Sequence, residues 1–168
     1  MRAIFSLILS ATLALPLAAQ DAGGAETPVA EQLPDAEILS PIEAWQADPT
    51  TVFDASEVDI DTFKWIARPI VVFADTPVDP SFQEQIDNLT RDPGELVRRD
   101  VVLISDSDPS QRSDLRSRLR PRGFALVLMG KDGDVELRKP FPWSVRELSR
   151  AIDKMPLRQQ EMRDQSRG

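Results

Sequence analysis

An uninterrupted apolar run, Pro-Ile-Val-Val-Phe-Ala at residues 69–74, constrains the fold of this chain more than any other feature. Strand-forming residues without polar alternation are typical of a strand covered on both faces, so the run predicts the central strand of an α/β sheet. Residues 75–80, Asp-Thr-Pro-Val-Asp-Pro, follow at once and indicate a turn into a helix. Because open α/β sheets usually bind ligands at this end of their strands, we expect a functional site there.

The segment after this strand predicts a strand-helix-strand unit. Asp79 and Pro80 have the form of an N-cap and a first helical residue. Apolar residues then recur at helical spacing to about residue 91. A second apolar run, Val-Val-Leu-Ile, occupies residues 101–104. The length of the connection predicts two parallel strands joined by a right-handed crossover.

Two further strands and two helices complete the predicted domain. Arginine-rich residues 112–120 predict a short helix, and residues 124–129 a third strand. Asp-Gly at residues 132–133 predicts a two-residue hairpin turn to a fourth strand at residues 135–138. Ser-Val-Arg-Glu at residues 144–147 is a capping box that starts the last helix. The order β-α-β-α-β-β-α predicts a thioredoxin-like three-layer α/β/α sandwich with a mixed four-stranded sheet.

The N-terminal part divides into three predicted segments. Residues 1–19 have a positive start, an apolar stretch and an Ala-Ala end, which together predict a signal peptide and export. Residues 20–36 predict a disordered acidic linker, because they contain too little apolar surface to order. Residues 37–62 predict an acidic segment that drapes over the domain of residues 63–168, with Trp45 docked on it. No membrane span is expected after signal cleavage.

The sequence contains no Cys and no His. Thiol redox chemistry, Ser-His-Asp and Cys-His nucleophiles, zinc sites built from thiolate or imidazole, and haem ligation by these residues are therefore excluded. We expect no cofactor and no thiol oxidoreductase activity, and an enzyme is the least favoured class of protein.

Three motifs of the chain resemble those of a bacterial family described only as a domain of unknown function with a thioredoxin-like fold. They are Phe63-Lys64-Trp65 with Arg68-Pro69, Gly123-Phe124 with Gly130-Lys131-Asp132-Gly133, and Met-Pro-x-Arg-x-x-Glu-Met at residues 155–162. The resemblance covers residues 60–163 and implies the fold but no activity. Where thioredoxins carry their two cysteines, this chain aligns Pro77 and Pro80, so the Cys-x-x-Cys motif is lacking.

Four aspartates follow the two predicted parallel strands. Asp75 and Asp79 come after the first strand, and Asp106 and Asp108 after the second. Oxygen-rich clusters bind Ca²⁺ or Mg²⁺, so the four carboxylates could form a divalent-metal or small-ligand site. Alternatively, Asp79 and Asp108 cap helices ahead of prolines while the other two lie in turns, and we favour this interpretation.

Two charged surfaces are candidates for partner binding. Arginines in residues 112–122 form a basic patch. The patch is either a solvated helix face or a surface that the acidic residues 21–62 cover, in competition with an anionic partner. Nucleic acid is not expected there, because no aromatic residues interleave with the arginines. Arg158, Glu161 and Arg163 of the C-terminal motif either clamp the last helix by ion pairs within the chain or contact a protein partner.

The sequence as a whole predicts a non-catalytic thioredoxin-like binding or interaction module of the bacterial periplasm, or a secreted one. The alternative is a carboxylate-based metal or small-ligand binding protein that uses Asp75, Asp79, Asp106 and Asp108.

Overall fold

The computed structural model of the protein describes residues 39–167. Its strands are β1 Val52–Asp54, β2 Arg68–Phe73, β3 Val101–Asp106, β4 Ala125–Met129 and β5 Val135–Lys139. Its helices are α1 Pro41–Ala47, α2 Pro80–Arg91, α3 Gly94–Val97, α4 Asp114–Leu119, α5 Val145–Ile152 and α6 Pro156–Gln165. Short 3-10 helices span Ile60–Phe63 and Pro109–Gln111. The strands form one mixed sheet in the order β1-β3-β2-β4-β5.

Strand β2 is the central strand, as the apolar run predicts. It pairs with β3 in parallel and with β4 in antiparallel orientation, and all six of its residues are buried. Successive side chains point to opposite faces of a sheet. Val71 and Phe73 therefore join the core beneath α1 and α4, whereas Ile70 and Val72 join the core beneath α2, α3 and α5. This layering confirms the predicted thioredoxin-like α/β/α sandwich.

The predicted four-stranded sheet is wrong by one strand. Residues 52–54 form β1, which pairs in parallel with the outer edge of β3. Three residues are too few to show a strand periodicity, and the neighbouring Asp and Thr residues suggest a loop. The edge of β3 supplies the hydrogen-bond partners that make this segment a strand. Nearby, the indole N–H of Trp45 in α1 donates to the Val101 carbonyl at 3.0 Å, so Trp45 docks as predicted.

Helix starts agree with the capping signals of the sequence. The Asp79 carboxylate accepts hydrogen bonds from the backbone N–H groups of Ser81 and Phe82, and Pro80 is the first residue of α2. Ser144 and Glu147 form both hydrogen bonds of the predicted capping box of α5. At Pro156 the chain starts a separate helix, α6. The hairpin between β4 and β5 is also present, but its turn is not the predicted Asp132-Gly133 pair. The Gly133 N–H donates to the Gly130 carbonyl at 3.0 Å, so the turn is centred on residues 131–132, and Gly133 follows with a positive φ of 86°.

The predicted signal peptide at residues 1–19 and the predicted linker at residues 20–36 lie outside the described residues. Within residues 39–167, each helix is too short or too polar to cross a bilayer.

Candidate functional site

Open α/β sheets usually bind ligands at the carboxyl ends of their strands. At this end of β2 and β3, one arginine binds a buried carboxylate. The Arg116 guanidinium donates to the Asp106 carboxylate at 2.7 and 3.0 Å and to the Ala74 carbonyl at 2.6 Å. The Ser113 hydroxyl donates to the other carboxylate oxygen of Asp106 at 2.5 Å. The Asp106 side chain is only 4 % exposed, so a buried carboxylate is fully engaged inside the chain.

Among the other predicted ligands of a metal ion, Asp75 shares a partner with Asp106, but that partner is the Arg116 cation, whereas Asp79 and Asp108 bind backbone N–H groups. Asp75 contacts Arg116 at 3.4 Å from the solvent side, and Asp79 caps α2. Asp108 accepts the backbone N–H of Ser110 at 2.9 Å, and hydrogen bonding by Ser110 lowers the pKa of its carboxyl. No group of three or more acidic side chains within residues 39–167 is arranged to hold a metal ion. The geometry therefore offers the metal hypothesis no support, and it stays a prediction.

At the opposite, amino end of β2, five charged side chains form a network centred on Glu161, which we call the α6 clamp. Arg68, only 1 % exposed, donates to Glu161 at 2.8 Å, and Lys131 lies 3.1 Å from the same oxygen. Arg158 approaches the second oxygen of Glu161 at 3.2 Å. Lys131 also pairs with Asp100 at 2.8 Å. Residues that are remote in sequence thereby fix α6 to the sheet.

The electrostatics of the α6 clamp favour the charged form of Glu161. Burial raises the pKa of its carboxyl, but hydrogen bonds from Arg68 and Lys131 outweigh that effect, and the pKa lies below its usual value. Beside the clamp, Arg99 binds both oxygens of Asp153 at 2.7 and 2.9 Å. The hydrogen bonds from Arg99 lower the pKa of Asp153. The clamp and this pair hold α5 and α6 against the start of β3.

The predicted partner-binding residues separate into two groups. Arg158 and Glu161 point inward and belong to the α6 clamp. Of the two alternatives given for these residues, the structure shows ion pairs within the chain. Arg163 is exposed on α6. Within residues 39–167, Arg163 forms no ion pair. The clamp therefore accounts for the motif's Arg and Glu, and solvent-facing residues of α6 are the ones available to a partner.

The sequence interpretation missed Trp65, which lies beside the α6 clamp. Its side chain is 68 % exposed and its backbone has a φ of +64°, a conformation that bulky residues rarely adopt. The backbone N–H of Trp65 donates to the Lys131 carbonyl at 2.7 Å, and this hydrogen bond holds the conformation. A cleft of about 220 Å³ next to the indole is lined by α6 residues that include Leu157, Gln160 and Asp164. The motif Phe63-Lys64-Trp65 was the available signal.

The arginine patch is partly neutralised within the chain. Arg116 faces inward, and Arg118 pairs with Asp61 of the acidic segment at 3.1 Å. Hydrogen bonds from Arg118, which has the larger effect, and from Lys64 lower the pKa of Asp61. The described part of the acidic segment thus covers one arginine of the patch, whereas Arg120 and Arg122 remain exposed.

The protein has a thioredoxin-like fold, and the carboxyl ends of β2 and β3 carry no thiol. The sequence contains no cysteine, and an ion pair between Arg116 and Asp106 occupies the carboxyl end of β3. The chain belongs to the family described as domain of unknown function DUF4174, whose profile matches residues 59–161.

Solved structures similar to this chain include two thioredoxins. Reduced desulfothioredoxin from Desulfovibrio vulgaris Hildenborough is 22 % identical, with a TM-score of 0.45, and the match covers 62 % of this chain and 96 % of that one. Chloroplastic thioredoxin z is 19 % identical, with a TM-score of 0.42, and the match covers 52 % of this chain and 77 % of that one. Among curated proteins, none matches the chain significantly.

Proposed function

We propose that the protein is a non-catalytic thioredoxin-like interaction module of the bacterial periplasm, and that a protein partner docks on a Trp65 surface. This surface consists of Trp65, Leu157, Gln160 and Asp164. The observation that carries the proposal is the indole of Trp65, which is exposed on a left-handed backbone.

The left-handed conformation of Trp65 lowers the stability of the protein, and the exposed side chain does little to compensate for that loss. A non-glycine residue with left-handed φ and ψ costs about 1 to 2 kcal/mol, because its Cβ crowds the following carbonyl oxygen. An indole that is 68 % exposed recovers little of that cost by burial. Tryptophan is the residue type most enriched at the energetic centres of protein interfaces. Binding is therefore the best reason for this residue to stand here.

The α6 clamp makes the Trp65 surface a rigid platform. The Lys131 carbonyl fixes the backbone of Trp65, and the Lys131 side chain pairs with Glu161 of α6. Both walls of the cleft are thus anchored to Lys131, one by a main-chain hydrogen bond and the other by an ion pair. A preorganised surface loses less conformational entropy when a partner binds. The Arg and Glu of the Met-Pro-x-Arg-x-x-Glu-Met motif, which we propose as a feature of the family, hold α6 in place beside Trp65.

Two further observations support the non-catalytic and periplasmic parts of the proposal. The carboxylates at the carboxyl end are engaged by Arg116 or by helix N-termini, and the chain has neither Cys nor His. The order of residues 1–19 is that of a signal peptide. Cell fractionation tests the location directly: we expect the processed protein in the periplasmic fraction, and an unprocessed cytosolic protein would contradict this location.

Capture from periplasmic extract tests the docking surface. The immobilised protein is compared with Trp65→Ala and with Phe141→Ala, which truncates another exposed aromatic residue outside the surface. We expect the wild-type protein and Phe141→Ala to retain the same partner and Trp65→Ala to lose it. Thermal melts of the three proteins establish that each is folded. Equal capture by all three would rule out the Trp65 surface as the docking site.

A further inference from the structure

A second open cleft, of about 320 Å³, lies between the loop after α4 and the end of β5. Its lining includes four basic side chains and no acidic one: Arg120, Arg122, Arg138 and Lys139. Phe124 and Ala125 provide an apolar wall. We call this feature the basic cleft. It is separate from the Trp65 surface and does not depend on the function proposed for that surface.

The charges of the basic cleft are not neutralised by the described part of the chain. None of its four cations forms an ion pair within residues 39–167, in contrast to Arg116 and Arg118 of the same patch. Arg138 instead donates to the Leu119 carbonyl at 2.5 Å, and the Lys139 ammonium lies 4.5 Å from the centre of the Trp143 ring. These contacts hold two cations in place and leave their positive charge uncompensated. The cleft is complementary to an anionic ligand.

The strand that carries Arg138 and Lys139 lies at the edge of the sheet. The strand order ends at β5, so one side of its backbone pairs with no other strand of the described chain. An exposed edge accepts an extended peptide through main-chain hydrogen bonds. Two cations, Arg138 and Lys139, lie near the carboxyl end of this strand, beyond its single acidic residue Glu136. They attract a strand of opposite charge, so the edge discriminates between partners.

We propose that the basic cleft and the edge of β5 together bind an extended acidic peptide segment of another protein. Main-chain hydrogen bonds to β5 align the segment, and its carboxylates reach the Arg120 and Arg122 guanidinium groups. Planar guanidinium groups suit carboxylates because they can donate two parallel hydrogen bonds. The open cleft would bury little of a small anion, whereas a peptide gains further contacts along the strand.

Fluorescence anisotropy with a labelled peptide in which Glu alternates with Thr tests this proposal. One control peptide has Gln in place of Glu, and a second is N-methylated at alternate backbone amides. The purified protein is compared with Arg120→Gln/Arg122→Gln and with Arg146→Gln/Arg150→Gln, which removes two exposed charges from α5. Both pairs change the net charge equally, so general electrostatic attraction is the same for the two variants.

We expect the acidic peptide to bind the wild-type protein with an affinity that falls as salt is added. The Kd should rise about tenfold in Arg120→Gln/Arg122→Gln and stay within about twofold in the α5 variant, which matches the modest worth of exposed charge contacts. Both control peptides should bind more weakly. Equal affinity for either control peptide, an equal loss in the α5 variant, or tighter binding of a single-stranded oligonucleotide would overturn the proposal.

Discussion

The guanidinium of Arg68 donates to the Glu161 carboxylate at 2.8 Å, although 93 positions separate the two residues. Arg68 is the first residue of the central strand and Glu161 lies in the last helix. Arg68 is almost completely buried, so its charge depends on Glu161, on Asp100 at 3.8 Å and on the Arg99 carbonyl, which accepts a hydrogen bond at 2.9 Å. Arg68 therefore keeps this carboxylate partner only while α6 stays in its position against the sheet.

Replacing Glu161 by Leu should destabilise the protein strongly. The change removes the carboxylate that accepts a hydrogen bond from the buried Arg68 guanidinium and leaves Asp100, at 3.8 Å, as its remaining carboxylate partner. Breaking a buried ion pair costs about 3 kcal/mol or more. Urea unfolding at neutral pH measures the loss. Arg163→Leu, on an exposed part of the same helix, is the matched control and should change the free energy of unfolding by less than about 0.5 kcal/mol. Similar small losses in both variants would contradict the α6 clamp.

The stability supplied by Glu161 should depend on pH. Its pKa in the folded protein is lowered, so its contribution is complete above the unfolded value of about 4.3 and is lost as the pH falls through the folded value. The difference in unfolding free energy between wild type and Glu161→Gln should therefore be largest near neutral pH and shrink in acid. Urea unfolding over an acidic pH series measures it. A difference that grows as the pH falls would show the opposite sign of shift.

Much of the fold could be predicted because it depends on local patterns. The run at residues 69–74 carries its own evidence of burial on both faces, and Asp79 with Pro80 marks a helix start. Strand β1 could not be predicted, since three residues become a strand only by pairing with β3. The same limit applies to the site. Arg68 and Glu161 show their relationship only after the chain has folded.

Trp65 illustrates a different limit of sequence interpretation. Left-handed backbone conformations are usually predicted from Gly or Asn, and Trp gives no such signal. Its conformation comes from a hydrogen bond to Lys131, which the fold brings next to it. Asp75, Asp79 and Asp108 follow the strands as predicted, whereas Asp106 is the buried last residue of β3 and not part of a turn. Which of them face a cation, a helix N-terminus or solvent depended on Arg116, whose direction the sequence does not show.

The capping role of Asp79 predicts how its variants behave. Asp79→Ala should lose about 1 kcal/mol of stability because two backbone N–H groups of α2 lose their acceptor, whereas Asp79→Asn should stay close to wild type. Neither Ca²⁺ nor Mg²⁺ should change the melting temperature of the wild-type protein. A melting temperature that rises with either ion, and no longer rises in Asp79→Asn, would favour the metal site over the cap.

Arg116 should be essential to the stability of the carboxyl end. Arg116→Met leaves the buried Asp106 carboxylate with Ser113 as its remaining partner, and we expect a loss of about 3 kcal/mol or more. Arg116→Met combined with Asp106→Asn removes both charges and should recover part of that loss. Urea unfolding of the three proteins gives the coupling between the residues. Purely additive losses would mean that the pair does not act as a unit.

Glycine at position 65 should adopt the left-handed backbone conformation at a lower cost than a residue that carries a Cβ. Trp65→Gly and Trp65→Ala both remove the indole, but only alanine keeps a Cβ at a φ of +64°. We therefore expect Trp65→Gly to be more stable than Trp65→Ala by about 1 kcal/mol, as measured by thermal and urea unfolding. Equal stability would mean that the left-handed conformation costs nothing at this position.

The most direct test of the interaction function measures stability and partner capture together in Trp65→Gly. If tryptophan is retained here for binding, this variant should be at least as stable as the wild-type protein and should capture no partner from periplasmic extract. A Trp65→Gly protein that is clearly less stable, yet still captures the wild-type partner, would show that Trp65 serves the fold and would contradict the proposed function.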